Sequence, residues 1–385
     1  MRKYLLILLF YYFILNVNAQ EAQNVADLDF LYKEIKKLPS YKIFAKSDKD
    51  YHTLYASIRT NFVDTNELDI YKKLYQLISP INDNHLGFYK VADTTISPKP
   101  IKIDLDVYDL KQILSQRTVS SLEGVYKRDD QEFVIFENSN NEFYVVHLET
   151  QTLVGILIET ANESLDYISL INGNRGIVLL RNLRQVNGNF ASLNLYKTKK
   201  PVFNNLPAAK TNFDFKHLSN NIGYLRLSSF YASNINTANS EKFLNEVRDS
   251  INTHHLIVDV RNNSGGGFKT SQRFIDFLLK YEGDVYVLQN SKTASNAEKF
   301  ILRLKNSKKK IVTLGETTVG TLAYGSNFGK TISLPNHKFV FYPTDMNGNK
   351  IDLPYESIGI EPDVNLDSFT EDWIEQTIKY IKAND

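Results

Sequence analysis

The 385-residue chain contains no cysteine. That excludes disulfides, thiolate metal sites, a cysteine nucleophile and lipid attachment to an N-terminal cysteine. Net charge is also scarce: 45 basic and 44 acidic side chains leave a formal charge of +1. Such a balance gives no overall field to gather nucleic acid or an anionic membrane. The short runs Lys197-Thr198-Lys199-Lys200 and Lys308-Lys309-Lys310 read as solvated turns, so no nucleic-acid partner is expected. Neither HExxH nor any other metal-ligand spacing occurs, and GxxxxGK[ST] and GxGxxG are both missing. No metal and no cofactor is therefore expected. Internal repeats and low-complexity tracts are absent too.

What is present is ordinary globular material, 42% hydrophobic and 23% charged, and long enough for two or three domains. The first residues, MRKYLLILLFYYFILNVNAQ, combine a basic start, an apolar stretch from Tyr4 to Leu15 and small or branched residues at Val17 and Ala19. This pattern reads as a signal peptide over residues 1–19, with a mature chain beginning near Gln20 and exported to the periplasm or beyond. The apolar stretch is shorter than the ~20 residues needed to span a bilayer, so no membrane span is expected after cleavage. Without disulfides, an exported chain depends on the size of its core.

Three regions follow. Residues 20–100 are patterned as helices: Leu28, Leu31, Tyr32 and Ile35 share a face, as do Leu54, Ile58 and Phe62, then Leu68, Tyr71, Leu74 and Ile78. Pro98-Lys99-Pro100 marks a boundary. Residues 101–205 form a small β-rich domain, in which FVIFENSNNEFYVVHL reads as a hairpin and LVGILIE, YISLI, GIVLL and FASLNLY as short strands. Nothing in it suggests catalysis; spacer or lid is the expected role. From 206 to 385, IGYLRLSSF, LIVDV, VYVLQ and IVTLG alternate with helices near Ser240 to Ile251, Phe268 to Lys280 and after Ser295. That alternation implies an α/β domain with crossover helices covering its sheet on both sides, followed by a β-rich tail containing the hairpin TISLPNHKFVFYP. Asn347-Gly348 is a further turn signal in that tail.

Candidate chemistry gathers at two strand ends. RNNSGGGF follows LIVDV, and its three glycines can turn tightly and present bare N–H groups to an anion or a developing oxyanion, although plain turn chemistry is the commoner explanation of such a loop taken alone. Ser295 follows the next strand, so both features fall on the carboxyl edge where open α/β sheets place their sites. Ser295 with Glu298 also satisfies the pattern of an N-terminal capping box, which leaves cap and nucleophile both open. A serine nucleophile needs a base. Of the seven histidines, His85 in SPINDNHLGFY occupies a short polar turn that leaves its side chain free, though such a residue is more often a cap. His254 and His255 read as the C-terminal end of a helix, and His52, His147, His217 and His337 have no helpful context.

Taken in order, IGYLRLSSF, DVRNNSGG, TASNAEKF, GETTVG and GIEPDV resemble the core of the S41 serine peptidases, the C-terminal processing and tricorn-type proteases. The resemblance covers residues 221–365, and DNH at Asp83 to His85 is similar to the turn carrying the histidine in the tricorn-like branch. It implies a ClpP/crotonase-like catalytic sheet, with the N-terminal helical region and an inserted all-β domain attached. It further implies Ser295 as nucleophile, with the backbone N–H of Asn296 and of a glycine, Gly266 before Gly265, as oxyanion donors. The Ser-Lys branch places a lysine where this chain has Thr321, and no other lysine occurs before Lys330. Threonine is no base at neutral pH. The resemblance therefore implies His85 as base and Glu356 as its orienting acid, with Glu361 as the competing glutamate. Asp259 and Arg261 are expected to stabilise the strand-to-loop corner, and Asn84 has no assigned role.

Two departures stand out. Residues 123–197 show no carboxylate-binding loop of a PDZ module, so recognition of substrate C-terminal tails is not implied. The stretch from Gly266 to Ser295 is short, which implies an open cleft or one completed by a second copy of the chain in a homo-oligomer. The expected activity is hydrolysis of a peptide or protein substrate through an acyl-enzyme. The alternatives are a non-catalytic scaffold that binds peptides or hydrophobic ligands, and hydrolysis of an ester by the same groups.

Overall fold

The computed structural model describes residues 20–44, 48–95, 97, 99–104, 106–118, 120–160, 164–171, 176–197, 202–204, 206–325 and 330–385. The expected signal peptide lies outside them, as do Pro98 at the expected boundary and Thr198 to Lys200 of the first basic run. Among the described residues no helix is long and apolar enough to cross a membrane.

The N-terminal region is helical as its periodicity implies, with α1 (20–35), α2 (Tyr41–Phe44), α3 (Asp48–Thr60) and α4 (Glu67–Ile78). Helix α4 starts at Asn66, whose side chain accepts the Leu68 N–H, and it buries Leu68, Tyr71, Leu74 and Ile78 along one face. These helices lie on an eleven-stranded antiparallel sheet. Its central strands are β2 (Gly124–Arg128), β3 (Gln131–Ser139), β4 (Glu142–His147), β5 (Thr152–Glu159), β6 (Leu165–Ile171) and β7 (Gly176–Leu183). Strands β3 and β4 are the hairpin read from FVIFENSNNEFYVVHL. FASLNLY is less regular than expected: short β8 (Asn189–Phe190) and β9 (Leu195–Tyr196) flank a 3-10 turn. Alternation divides the side chains, so that Val134 and Val146 face the helices while Phe133, Ile135 and Val145 enter a second core.

The sheet draws strands from all three regions of the sequence. Strand β1 (Gly87–Lys90) follows the α4 turn and pairs with both β7 and β16 (Phe339–Tyr342). Strand β15 (Ile332–Ser333) closes the expected TISLPNHKFVFYP hairpin against β16. The full order across the sheet is β15-β16-β1-β7-β6-β5-β4-β3-β2-β9-β8. Residues just beyond His85 and residues near the C-terminal end thus share one ladder.

The second sheet has six strands. Strand β10 (Phe213–His217) is antiparallel to β11 (Ile222–Leu227); then β12 (His255–Asp259), β13 (Asp284–Gln289), β14 (Ile311–Gly315) and β17 (Val364–Asn365) run parallel. Their order is β10-β11-β12-β13-β14-β17. The crossovers are α6 (Asn234–Val247), α7 (Phe268–Lys280) and α8 (Asn296–Lys305). All three pack against Leu225, Leu256, Val258, Val285 and Val287 on a single face. The expectation of crossover helices on both sides is corrected here. Strands β11 to β14 are added one after another in the same direction, so right-handed connections leave every helix on the same side.

The opposite face is covered by α9 (Trp373–Asn384), a helix not foreseen in the tail, whose expected hairpin is β15–β16; the Asn347-Gly348 turn signal falls in an irregular stretch. Trp373, Thr377 and Ile381 fall at four-residue spacing on its buried stripe, against Tyr224, Ile257, Tyr286 and Leu288. A second unforeseen helix, α5 (Val107–Ser115), leads into the large sheet. The Trp373 ring is fully buried, its Nε1 donates to the Asp367 carbonyl at 2.9 Å, and the Arg261 guanidinium stacks 5.5 Å from its centroid. Trp373→Ala is expected to lower unfolding free energy by about 3–5 kcal/mol in urea titration, with the cavity term included.

Candidate active site

Strands β12 and β13 are adjacent and parallel, so the loops after them emerge side by side. The first begins at a buried corner. Asp259 and Arg261 are both fully buried and joined by hydrogen bonds of 2.7–3.1 Å, with the Tyr224 hydroxyl and Arg226 also on the carboxylate. Burial alone would raise the Asp259 carboxyl, but Arg261 and Arg226 hold it below its usual range. This pair anchors the corner, in keeping with the structural role expected of it.

Beyond the corner, Asn263 clamps the glycine turn. Its Oδ1 accepts the Gly265 N–H at 2.9 Å, its Nδ2 donates to the Leu227 carbonyl, and its carbonyl accepts the Ala294 N–H at 3.0 Å. Gly265 and Gly266 have φ of +89° and +128°, backbone that side chains resist. Space is short as well: a Cβ on Gly265 would stand 2.7 Å from the Asn296 nitrogen and 2.8 Å from the Ser295 Cβ. The glycine turn is therefore in direct contact with the start of α8. Because the Gly265 N–H is committed to Asn263, the two expected glycines differ. Among the described residues, the Gly266 and Asn296 N–H groups meet no protein acceptor.

Ser295 stands between these donors with φ +54° and ψ −123°. A β-carbon-bearing residue in that region carries about 1–3 kcal/mol of strain, held in place by its surroundings. Here the restraint is Glu298, whose Oε2 accepts the Ser295 N–H at 2.8 Å. This is the glutamate half of the expected capping box. The serine Oγ also lies 3.0 Å from the Nε2 of His85.

His85 arrives from the turn between α4 and β1. Arg181, from β7, donates to the carbonyls of Ser79, Ile81 and Asp83 in that turn and pairs with buried Asp166 at 3.2 Å. The Asp83 carboxylate caps the His85 N–H at 3.1 Å and accepts from Thr344 at 2.6 Å. Burial and then the nearby Lys299 charge lower the His85 ring to about 4, so the imidazole is neutral at ordinary pH. Its Nδ1 is sealed from solvent and, among the described residues, has no hydrogen-bond partner.

Glu356 is the glutamate that reaches this place; Glu361 is exposed. Its Oε1 accepts the Asn84 N–H at 3.0 Å, and its Oε2 accepts those of Leu322 and Ala323 at 2.9 and 2.7 Å. One oxygen of Glu356, one of Asp83 and a ring nitrogen of His85 lie within 4.8 Å of one another. The Glu356 carboxyl is pushed up to about 8, chiefly by burial and further by the Asp83 charge, despite its three amide donors.

Several residues given no catalytic or bracing part by sequence pattern complete the site. Glu298 is fully buried and also accepts from Thr318 Oγ1 at 2.5 Å, Gly320 N at 2.7 Å and Thr321 N at 2.9 Å. Thr321, where a Ser-Lys enzyme would carry its lysine, thus contributes an amide, and Lys330 is exposed. Asn84 Nδ2 donates to the Gly320 carbonyl at 2.9 Å. Asn182 donates to the Val319 carbonyl, and Arg184 to those of Thr318, Ser357 and Ile358. The β-rich region therefore braces the loops of the site through β7, more than a spacer would. The polar positions of GIVLLRNLRQ carried the only sequence signal for this, and they look like any solvent face.

The sequence model of peptidase family S41 matches residues 221–283, from β11 through the glycine turn to the end of α7. These residues resemble peptidase family S41. The S41 stretch includes Gly265 and Gly266 and stops short of Ser295; His85 lies far upstream of it. No curated protein sequence matches the chain. Among solved structures, the photosystem II D1 C-terminal processing protease is similar at 16% identity, covering 90% of this chain and 93% of that one, with a TM-score of 0.38. Mature CPAF matches at 12% identity, covering 90% and 93%, with a TM-score of 0.44. The tricorn protease matches at 12% identity over 94% of this chain and 37% of its own, with a TM-score of 0.47. Likenesses this remote bring no residue role to this chain.

A stability test follows from Glu356. Its raised carboxyl means the folded state holds a proton that the unfolded chain releases above about 4.5. The stability it contributes is complete below that pH and is lost as pH rises through about 8. Glu356→Gln has no such proton to lose. The difference in unfolding free energy, wild type minus variant, should fall by about 1.4 kcal/mol per pH unit between pH 5 and 8. Urea titrations at four pH values measure it; a pH-independent difference contradicts the assignment.

Proposed function

We propose that this protein is an exported serine peptidase that cleaves peptide bonds through an acyl-enzyme on Ser295. The observation that carries the reading is the 3.0 Å contact between His85 Nε2 and a Ser295 hydroxyl held on strained backbone. A neutral imidazole at this distance can accept the hydroxyl proton as oxygen attacks a carbonyl carbon, then return it to the leaving amine. The carbonyl oxygen, negative in the tetrahedral intermediate, would settle between the N–H groups of Gly266 and Asn296, neither of which meets a protein acceptor. Glu356 is the acid assigned to the ring on the Nδ1 side. Water then hydrolyses the acyl-enzyme with His85 again as base.

The S41 match over residues 221–283 supports a peptide or protein as the substrate. The pattern of residues 1–19 supports export to the periplasm or the medium, and the N-terminal sequence of the mature protein tests it. No metal or other cofactor enters any step of this reaction.

Labelling by a fluorophosphonate probe, followed by profiling on a peptide library, tests the activity. Wild type should label and turn over peptides. Ser295→Ala should abolish labelling, and His85→Ala should slow it by roughly 10³-fold or more. Equal labelling and turnover by wild type and Ser295→Ala would count against the proposal.

A further inference from the structure

We propose that Asp83 and Glu356 face the Nδ1 of His85 as a proton-sharing pair, so that either acid can carry the one negative charge that positions the ring. The inference rests on the reading of His85 as base and adds Asp83 to the site as a positioning residue.

Three observations support it. First, with Nε2 placed to accept the Ser295 hydrogen, the ring proton belongs on Nδ1, which makes Nδ1 a donor. That atom is buried and has no partner among the described residues, a state that costs about 1–3 kcal/mol if it persists. Second, the atoms able to relieve it come from two acids, since oxygens of Asp83 and Glu356 both lie within 4.8 Å of a ring nitrogen and of each other. Third, neither acid is saturated. Asp83 accepts from His85 N and Thr344, and Glu356 from Asn84, Leu322 and Ala323, against about four lone-pair sites on each carboxylate.

Two buried carboxyls this close do not ionise together; the pair takes up its protons in coupled steps. Burial raises both acids, and the Asp83 charge raises Glu356 further. The surrounding charges are few. Arg181 approaches Asp83 from β7, Lys299 faces His85 from α8, and the Tyr324 hydroxyl adjoins both acids. Arg181 favours charge on Asp83, while the three amides favour it on Glu356. The two positions are thus balanced by different neighbours. If one acid is neutralised by substitution, the repulsion that kept the other protonated disappears, and the charge moves across.

The test is the titration of His85 by ring ¹⁵N NMR in full-length wild type, Asp83→Asn, Glu356→Gln and the double variant. Asn keeps an oxygen for the His85 N–H and turns an amide toward Thr344, whose hydroxyl can accept, so the turn is retained. Each single variant should leave the neutral ring protonated on Nδ1 and shift its pKa by less than about half a unit, whereas the double variant loses the Nδ1–H tautomer. In parallel, each single variant should slow fluorophosphonate labelling by at most about tenfold and the double variant by 10³-fold or more, as when a triad loses its orienting acid.

A single variant that reproduces the double, additive effects, or a double variant that titrates like wild type would each overturn the pair. If Asp83→Asn fails to fold, wild type alone decides, because a neutral ring protonated on Nε2 is incompatible with the proposal. Failure of the peptidase reading has a different signature: no labelling of wild type, whatever the ring titration shows.

Discussion

Four consecutive amides, from Gly320 to Ala323, are divided between two buried carboxylates, and the geometry of the site depends on that division. Glu298 takes the first two and Glu356 the last two. Each acid also binds the backbone of a loop that carries a reacting group: Glu298 holds the Ser295 N–H and Glu356 the N–H of Asn84, next to His85. Hydroxyl and imidazole are therefore aligned by two carboxylates that share one stretch of main chain. Hydrogen bonds from backbone amides to a fixed side-chain oxygen are directional, which suits them to holding a 3.0 Å contact between distant segments. Burying such groups is costly, and that cost is accepted where position matters more than stability.

A second layer stiffens the first. Arg181, Asn182 and Arg184 extend from the end of β7 and bind carbonyls of the His85 turn, of residues 318–319 and of residues 357–358. The amides of residues 320–323 face acids, and carbonyls of residues 318–319 and 357–358 face these cations and amides. Among the described residues, the Nδ1 of His85 meets no hydrogen-bond partner. An unsatisfied atom at the centre of a satisfied network is where a change of protonation has most effect.

Legibility from sequence follows the range of the interaction. The continuous run LIVDV and the helical spacing after Ser295 read correctly, because a doubly covered strand and an amphipathic helix are written into neighbouring residues. The meeting of Ser295 and His85 is implied by family likeness and not by periodicity, since nothing local joins residues 210 apart. The layering of the small sheet escapes the sequence because one-sided crossovers and a final helix have the same strand-helix alternation as a doubly wound fold. The stripe of Trp373, Thr377 and Ile381 is hidden by the β-like segments that precede it. Asp83 stands in the DNH turn without an evident role, because a short acid in a turn resembles a cap, and it is one, on the His85 amide. Glu298 reads as a cap alone, because its ties to Gly320 and Thr321 connect loops that sequence proximity cannot show.

The ladder that sets β1 between β7 and β16 also has a temporal meaning. Gly87 to Lys90 pair with residues 339–342, and the Asn84 N–H reaches Glu356 across 272 positions. A growing chain could complete the glycine turn and the Ser295 elbow while the imidazole still lacked its place. Contacts of such separation form late, after their loop-closure entropy has been met. The Ser295 elbow is thus built from neighbouring segments, whereas the place of the imidazole depends on residues 339–356 having joined the ladder and the turn.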